Sequence, residues 1–369
     1  MFNSQISINY KERKILMKNS KRLESIQILR AVAFIAIFLS HVELLSSGVF
    51  GVEVFLILSG FCMVYAYGET GKYKVTGIKE NIEFAVKRIK KLYPLHLITL
   101  VTVAGVIALG LIKKENSQTE ISEFVFYFIM NISLLHSLIP WRDGYFSFNA
   151  VSWYLSVSMI CYFFFPWILN RLRKSSKKDV SKIALLTLTI QIAIALILQM
   201  LYVFAGVKND FLKWATYINP FYRIGDVIVG AILGWLYLKI KPKIIKKSCH
   251  FVLILIFLIV VLLLQIGLYD KFTIPRAFVF DLYWMPVSVA CVHFASTYTR
   301  TIENILGKVL IYIGDISGYA FLIHQIVIKG IERFVSERVL LTLLSFVLTI
   351  VCTEIFIRTE KTIKRFIRK

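Results

Sequence analysis

Apolar blocks long enough to cross a membrane recur along this whole chain of 369 residues, and they restrict its fold more than any other feature. A helix needs about 20 apolar residues to cross the hydrocarbon core, and about eleven blocks approach this length. They cover roughly 26–45, 48–68, 92–112, 121–139, 151–170, 183–205, 219–240, 249–268, 278–298, 309–328 and 338–358. The chain is also 57% hydrophobic, more than the roughly 45–50% of soluble domains. The sequence therefore predicts an all-α, polytopic integral membrane helical bundle.

The basic residues lie mostly in the short segments between these blocks. They give a net charge of +22, and the enrichment of Lys and Arg in cytoplasmic loops explains this charge without a nucleic-acid partner. Five strongly basic segments are expected to be cytoplasmic, namely "KERKILMKNSKR", "KYKVTGIKENIEFAVKRIKK", "RLRKSSKKDVSK", "KIKPKIIKK" and "RTEKTIKRFIRK".

Eleven spans would put the first and last basic segments on opposite faces. The block 121–139 is polar in its second half, around Asn131 and His136, so it is predicted to be re-entrant or interfacial, as protein-enclosed segments can be. About ten spans remain, and both termini are then cytoplasmic in the inner or plasma membrane.

Three regions are predicted along the chain: a basic cytoplasmic extension at 1–22, a membrane domain at 23–358 and a basic cytoplasmic tail at 359–369. The five cysteines are scattered and none forms a Cys-x-x-Cys pair. Neither a zinc site nor a disulfide framework is expected, and no metal is predicted.

The first block contains "RAVAFIAIFLSH", from Arg30 to His41. The two side chains lie about 16 Å apart along a helix, and ionisable groups inside spans usually face a cavity or a functional route. Arg30 could instead extend to the inner interface, and His41 could be a helix-packing residue. Glu53 follows in "GVEVFLILSGF" and is predicted to lie beside His41, where a carboxylate would orient a general base. In the same motif, Ser59 and Gly60 suit close helix packing.

Other polar groups suggest contacts with ligands. Lys87, Arg88 and Lys91 precede Pro94 in "FAVKRIKKLYP", where they either set topology or bind phosphates. Trp153 and Tyr154 form an aromatic belt or stack on a sugar. Three further candidates are Arg223, Asp226 and His324; the first two lie one turn apart and could neutralise each other.

Taken together, these motifs resemble the acyltransferase type 3 family, membrane proteins that acylate, mostly O-acetylate, extracytoplasmic glycans. The resemblance covers about residues 22 to 358. It rests on a basic residue separated from a histidine by ten residues, as in Arg30 and His41, on "GVEVFLILSGF", on "KRIKKLYP" with lysines where arginine is common, and on "YAFLIH". One departure is "WYLSVS", in which Ser158 stands where the family often has glutamate.

The resemblance implies transfer of an acyl group, mostly acetyl from cytoplasmic acetyl-CoA, to a hydroxyl of an extracytoplasmic or membrane-associated glycan of the exopolysaccharide, capsule, O-antigen or peptidoglycan class. His41 would be the base and Glu53 its orienting acid. Acyl-CoA would be held by Arg30, Lys87, Arg88 and Lys91, and the acceptor by Trp153, Tyr154, Arg223, Asp226 and His324. Two alternatives stay open: a transporter of a glycan or small anion, and a catalytically impaired relative that acts as an assembly partner.

Overall fold

The computed structural model describes residues 23–74, 77–113, 118–240, 274–298 and 304–367. These residues form helices joined by turns and loops, with no strand among them. The predicted extension at 1–22, the apolar block 249–268 and most of the basic segment "KIKPKIIKK" lie outside the described residues. The longer helices are α1 (Glu24–His41), α2 (Val49–Tyr67), α3 (Ile78–Ile89), α4 (Tyr93–Lys113), α5 (Gln118–Ile132), α6 (Trp153–Arg173), α7 (Lys177–Phe204), α8 (Pro220–Ile240), α9 (Met285–Thr297), α10 (Ile305–Ile331) and α11 (Arg338–Ile367).

Within the described residues, 8 helices are long and apolar enough to cross a membrane. They are α1, α2, α4, α6, α7, α8, α10 and α11, with a one-turn extension before α6 and two short helical segments, Asn209–Lys213 and Trp214–Ile218, before α8. This confirms the predicted fold class of a multi-pass helical membrane bundle. The last of them continues past the predicted domain boundary at 358, so the basic tail begins as part of α11.

Close contacts between backbones hold the centre of the bundle together. A Cβ atom on Gly60 would collide with the carbonyl of Val227, and one on Gly230 would collide with the carbonyl of Ile57. Only glycine therefore lets α2 and α8 approach so closely, as small residues do in membrane bundles. The predicted packing role of Gly60 is confirmed. Gly314 on α10 provides the same clearance for α1.

The block 121–139 contains a helix that is shorter than the hydrocarbon core is thick. α5 has 15 residues, about 22 Å at 1.5 Å per residue, against a hydrocarbon core of about 30 Å. It runs back toward the start of α4, where Tyr93 donates to the carbonyl of Ile132 at 2.9 Å. The chain then returns through short helical turns to α6. This path supports the predicted re-entrant segment.

Inside the bundle, side chains form hydrogen bonds with backbone carbonyl groups at the end of α5 and just after it. The imidazole of His96 lies 3.0 Å from the carbonyl of Asn131, and Ser156 donates to the carbonyl of Leu134 at 2.7 Å. His136 is fully buried, and its Nε2 lies 3.2 Å from the hydroxyl oxygen of Ser152. Irregular backbone is tolerated at membrane depth when protein groups pair with it in this way.

The block 278–298 was predicted as one continuous span, and the structure shows that its helix is interrupted. The chain forms a single turn at Arg276–Val279, and α9 starts only at Met285. The break contains Asp281, a fully buried carboxylate that is paired with Arg223 at 2.7 Å. Pro286 then lies in the first turn of α9, where its missing N–H costs nothing.

Candidate active site

A cavity of about 270 Å³ is lined by Arg30 together with both polar and apolar side chains, and we call it the Arg30 cavity. Arg30 Nε lies 3.2 Å from the carbonyl oxygen of Gly314, and the guanidinium also donates to Ser317. The guanidinium sits 5.7 Å from the ring centre of Phe55. These contacts hold Arg30 against α10 and α2, so the structure favours a fixed cation in a cavity over a side chain that extends to the interface.

Two other cations reach the Arg30 cavity. Arg88 lies over the ring of Tyr67 at 5.5 Å, and its buried Nε has no hydrogen-bond partner among the described residues. Lys91 lies over the ring of Tyr319 at 5.1 Å. Burial, and next the charge of Arg30, lowers the pKa of Lys91. Asp315 is the one carboxylate in the described lining of the Arg30 cavity, so its cations outnumber its acids. An excess of positive charge of this kind is suited to an anionic ligand.

Lys87 differs from its neighbour on α3. Its side chain is exposed and is not among the residues that line the Arg30 cavity. Of the four predicted acyl-CoA contacts, the structure thus brings three together and leaves Lys87 on the surface.

A second cavity, of about 710 Å³, contains His41, and we call it the His41 cavity. The amide of Gln325 lies 3.5 Å from Nδ1 of His41. The ring of His324 is centred 5.1 Å from that of His41. His324 itself is fully buried, and its Nδ1 donates to the carbonyl of Phe321 at 2.7 Å. The exposed imidazole in this cavity is therefore that of His41, with α10 behind it.

The structure corrects the predicted pairing of Glu53 with His41. Glu53 is fully buried, and Arg223 donates to its Oε2 at 2.7 Å. Arg223 also pairs with Asp226 at 2.9 Å and with Asp281 at 2.7 Å. An unpaired charge buried in the bundle is very costly, so the buried carboxylate of Glu53 requires a partner of opposite charge, which Arg223 provides. Glu53 therefore ties α2 to α8.

Two residues of this four-residue cluster, Arg223 and Asp226, were predicted to bind the acceptor. Arg223 and Asp226 are both 0% exposed, so they lie in the core and not at the mouth of a cavity. The predicted pairing within α8 is confirmed. The three carboxylates each have an oxygen within 4.8 Å of the others, a spacing that could hold a cation. Arg223 already bonds to all three, and we assign the cluster as an ion-pair network.

The neighbours Trp153 and Tyr154 face different cavities. Trp153 lines the His41 cavity, and Tyr154 lines the Arg30 cavity. Phe321 on α10 lines both, with its ring 5.4 Å from that of Tyr154. It is only 7% exposed. A thin aromatic partition centred on Phe321 therefore separates the two cavities.

Ser158, the departure from the family pattern, lies on α6 and is nearly buried. Its hydroxyl donates to the carbonyl of Tyr154 one turn earlier at 2.8 Å. A hydroxyl can return its hydrogen bond to its own helix, which a carboxylate cannot do. The serine thus needs no partner on another helix.

Sequence reasoning missed several residues that the structure places at these sites. Asp281 could have been noticed as a lone acid in an apolar block. Gln325 follows His324 directly but carries no motif of its own. The remaining three are Lys213, Phe321 and Lys329, which become neighbours of the cavities only through packing.

The fold and the two cavities define a class: a multi-pass helical membrane protein with ionisable side chains in internal cavities. A family model described as "Acyltransferase domain" matches residues 23–358. The chain belongs to this acyltransferase type 3 family.

Curated relatives agree with this assignment. Proteins of Staphylococcus aureus strains COL and MW2, both named "Putative O-acetyltransferase", are 25% identical over 366 residues, which is 94% of this chain and 58% of theirs. The chain thus spans less than two thirds of the length of these relatives. "Acyltransferase MdmB" of Streptomyces mycarofaciens is 30% identical over 169 residues, 42% of this chain and 41% of that protein. No solved structure matches the chain.

Proposed function

We propose that the chain transfers an acyl group, acetyl from cytoplasmic acetyl-CoA, to a hydroxyl of an extracytoplasmic or membrane-associated glycan. The observation that carries this proposal is the pair of cavities that meet at Phe321, with cations in one and His41 in the other. A donor and an acceptor could then approach the same partition from opposite sides. The protein would lie in the cytoplasmic membrane, with both termini and the Arg30 cavity toward the cytoplasm.

The Arg30 cavity suits the donor. The phosphates of acetyl-CoA cannot enter hydrocarbon, and Arg30, Arg88 and Lys91 provide the cations that would stop them at its mouth. The acyl-pantetheine arm is uncharged and could extend past Tyr154 toward Phe321. The acyl group would then arrive at the partition from the side opposite His41.

In the proposed reaction, His41 accepts the proton of an acceptor hydroxyl in its cavity. The hydroxyl oxygen bonds to the thioester carbonyl carbon, the C–S bond breaks, and the proton passes from His41 to the departing CoA thiolate. An ester and free CoA thus form without a net change in protons. Gln325 and His324 would position the imidazole, in place of the carboxylate that the sequence predicted. General-base catalysis of this kind contributes roughly 10²–10⁴-fold.

The proposal is tested with purified protein, acetyl-CoA labelled in the acetyl group, and isolated envelope glycans. We expect release of free CoA together with ester-linked acetyl on the glycan, measured by thiol titration and by mass spectrometry. Glycan uptake into vesicles without loss of the thioester would instead favour a transporter. Binding of acetyl-CoA with no turnover on any glycan would favour an impaired relative.

A further inference from the structure

The His41 cavity has an unusual balance of charge. Arg142, Lys213 and Lys329 line it together with one carboxylate, that of Asp143. Among the described residues, none of these three cations forms a salt bridge. Asp210 lies one turn before Lys213 on a short helix. It is not part of the described lining. The cavity around His41 is thus predominantly positive.

The three cations come from three separate segments of the chain. Arg142 begins the one-turn helix that follows the re-entrant segment. Lys213 precedes α8, and its ammonium group is held 5.1 Å from the ring centre of Phe146. Lys329 lies in the last turn of α10, where the helix dipole alone would favour a lysine. That dipole does not account for the convergence of all three on one cavity.

Topology does not explain these cations either. In the proposed orientation the His41 cavity opens away from the cytoplasm, on the face where short loops are usually poor in Lys and Arg. Unpaired like charges that converge in a cavity repel one another. A ligand of opposite charge would remove this cost.

We propose that the acceptor is an acidic glycan, whose carboxylate or phosphate groups are bound by Arg142, Lys213 and Lys329 while His41 meets a hydroxyl of the same molecule. This inference rests on the proposed function and names the substrate class of its acceptor side. The three cations would favour an acidic glycan over a neutral one, because each can donate a charge-assisted hydrogen bond to an anionic group that a neutral sugar lacks.

The test measures binding without acyl transfer, so that it does not depend on turnover. The full chain is reconstituted in nanodiscs of neutral phosphatidylcholine. Three fluorescent oligosaccharides are then titrated by anisotropy: oligogalacturonate, the matched neutral oligogalactose, and oligogalactose that carries phosphate monoesters. We expect at least one acidic probe to bind about tenfold or more tighter than the neutral one, and to lose affinity at high salt. Comparison of the two acidic probes distinguishes carboxylate from phosphate.

Three variants separate the cavity from general surface charge. Lys213→Gln and Lys329→Gln should each weaken binding of the acidic probe about tenfold, since each removes one charge-assisted contact. Neither should change binding of the neutral probe. Lys208→Gln removes an exposed lysine of the same loop that is not in the described lining, and it should leave all three affinities unchanged.

Equal affinity for the three probes, no binding of either acidic probe, or an equal loss in Lys208→Gln would overturn the proposal. A parallel assay with acetyl-CoA separates this failure from that of the proposed function. Acetylation of oligogalactose as efficiently as of the acidic probes would keep the enzyme and reject the acidic acceptor. Charge-selective binding without acetylation of any probe would keep the site and reject the enzyme.

Discussion

Arg30 and His41 belong to the same helix and yet face different cavities. They lie three turns apart, so no direct contact joins them. Arg30 is fixed by hydrogen bonds to α10, whereas His41 is exposed and is approached by the amide of Gln325. The two ends of α1 therefore contribute to two separate cavities, as the proposed binding of donor and acceptor on opposite sides requires.

Removing the imidazole of His41 should remove acyl transfer. We expect His41→Ala to lower kcat roughly 10²–10⁴-fold, the contribution of a general base, with thermal unfolding close to that of the parent. His293→Ala provides the control, because His293 is an exposed histidine of α9. Normal acetylation of a glycan by a well-folded His41→Ala variant would rule out the catalytic role.

Adjacent cations on α3 provide a matched test of the donor site. Arg88→Ala should raise the KM for acetyl-CoA by about tenfold or more, since a hydrogen bond to a charged group contributes about 1.5–3 kcal/mol. Arg30→Ala should act in the same direction. Lys87→Ala should leave KM unchanged because Lys87 is outside the described lining of the Arg30 cavity. Equal effects of Arg88→Ala and Lys87→Ala would mean that these residues only set topology.

Contacts between helices depend on glycines and on buried ion pairs. α2 and α8 meet at Gly60 and Gly230, and Arg223 on α8 pairs with Glu53 on α2. The same guanidinium reaches Asp281, where the chain leaves its helix before α9. One side chain thus joins three elements. Its guanidinium lies 5.8 Å from the ring centre of Tyr217, which lines the His41 cavity, so the cluster supports the wall of that cavity without being part of its described lining.

The same substitution should have opposite effects at two glycines. Gly230→Ala forces a methyl group into the carbonyl of Ile57, and such overpacking costs about 1–3 kcal/mol. Gly105 on α4 has no atom within 4 Å of its Cβ position. Gly105→Ala should therefore stabilise its helix by up to about 1 kcal/mol. Thermal unfolding in detergent measures both. A similar shift in the two variants would contradict the close contact of α2 and α8.

Labelling from one side of the membrane tests whether α5 crosses it. Ser117 precedes α5 in sequence, and Asp143 lines the His41 cavity. Single cysteines at the two positions, with the native cysteines removed, should both react with an impermeant thiol reagent from outside. If Asp143→Cys reacts only after the cytoplasmic face is opened while Ser117→Cys reacts from outside, α5 spans the membrane and the ten-helix topology is wrong.

The bundle as a whole contains two cavities with one partition between them. Phe321 contributes to both linings, and its ring packs against those of Tyr154 and His324. Its near-complete burial places a closed aromatic contact between the two cavities. In the proposed reaction, this partition would lie between the bound thioester and the acceptor.

Opening this partition should uncouple the two sides. We expect the Phe321→Ala variant to hydrolyse acetyl-CoA faster than the parent when no glycan is present, because removal of the ring would connect the two cavities. The variant should also accept longer acyl groups, since the space of the ring becomes free. Free CoA is measured with acetyl-CoA and butyryl-CoA. Phe346→Ala is the control, since this phenylalanine of α11 packs on Phe38 and lines neither described cavity. Unchanged hydrolysis and unchanged acyl selectivity in Phe321→Ala would reject the partition.

The sequence by itself determined the class of fold, the approximate place of the eight long apolar helices among the described residues, and the ends of α1 at which a cation and an imidazole lie. These properties depend on local hydropathy and on the helical rise, which act within about 20 residues. It also indicated the re-entrant segment, because the loop charges exclude eleven spans. The pairing of Arg223 with Asp226 was predictable because it lies within one turn of helix.

Only the tertiary structure decided which distant groups meet. Glu53 and Arg223 are 170 positions apart, and no pattern in either helix shows that they pair. The choice follows from the close contact of α2 and α8, which buries the carboxylate where only another buried charge can compensate it. Lys213 and Lys329 likewise reach the His41 cavity through packing, since a side chain's neighbours across a bundle depend on which helix faces touch.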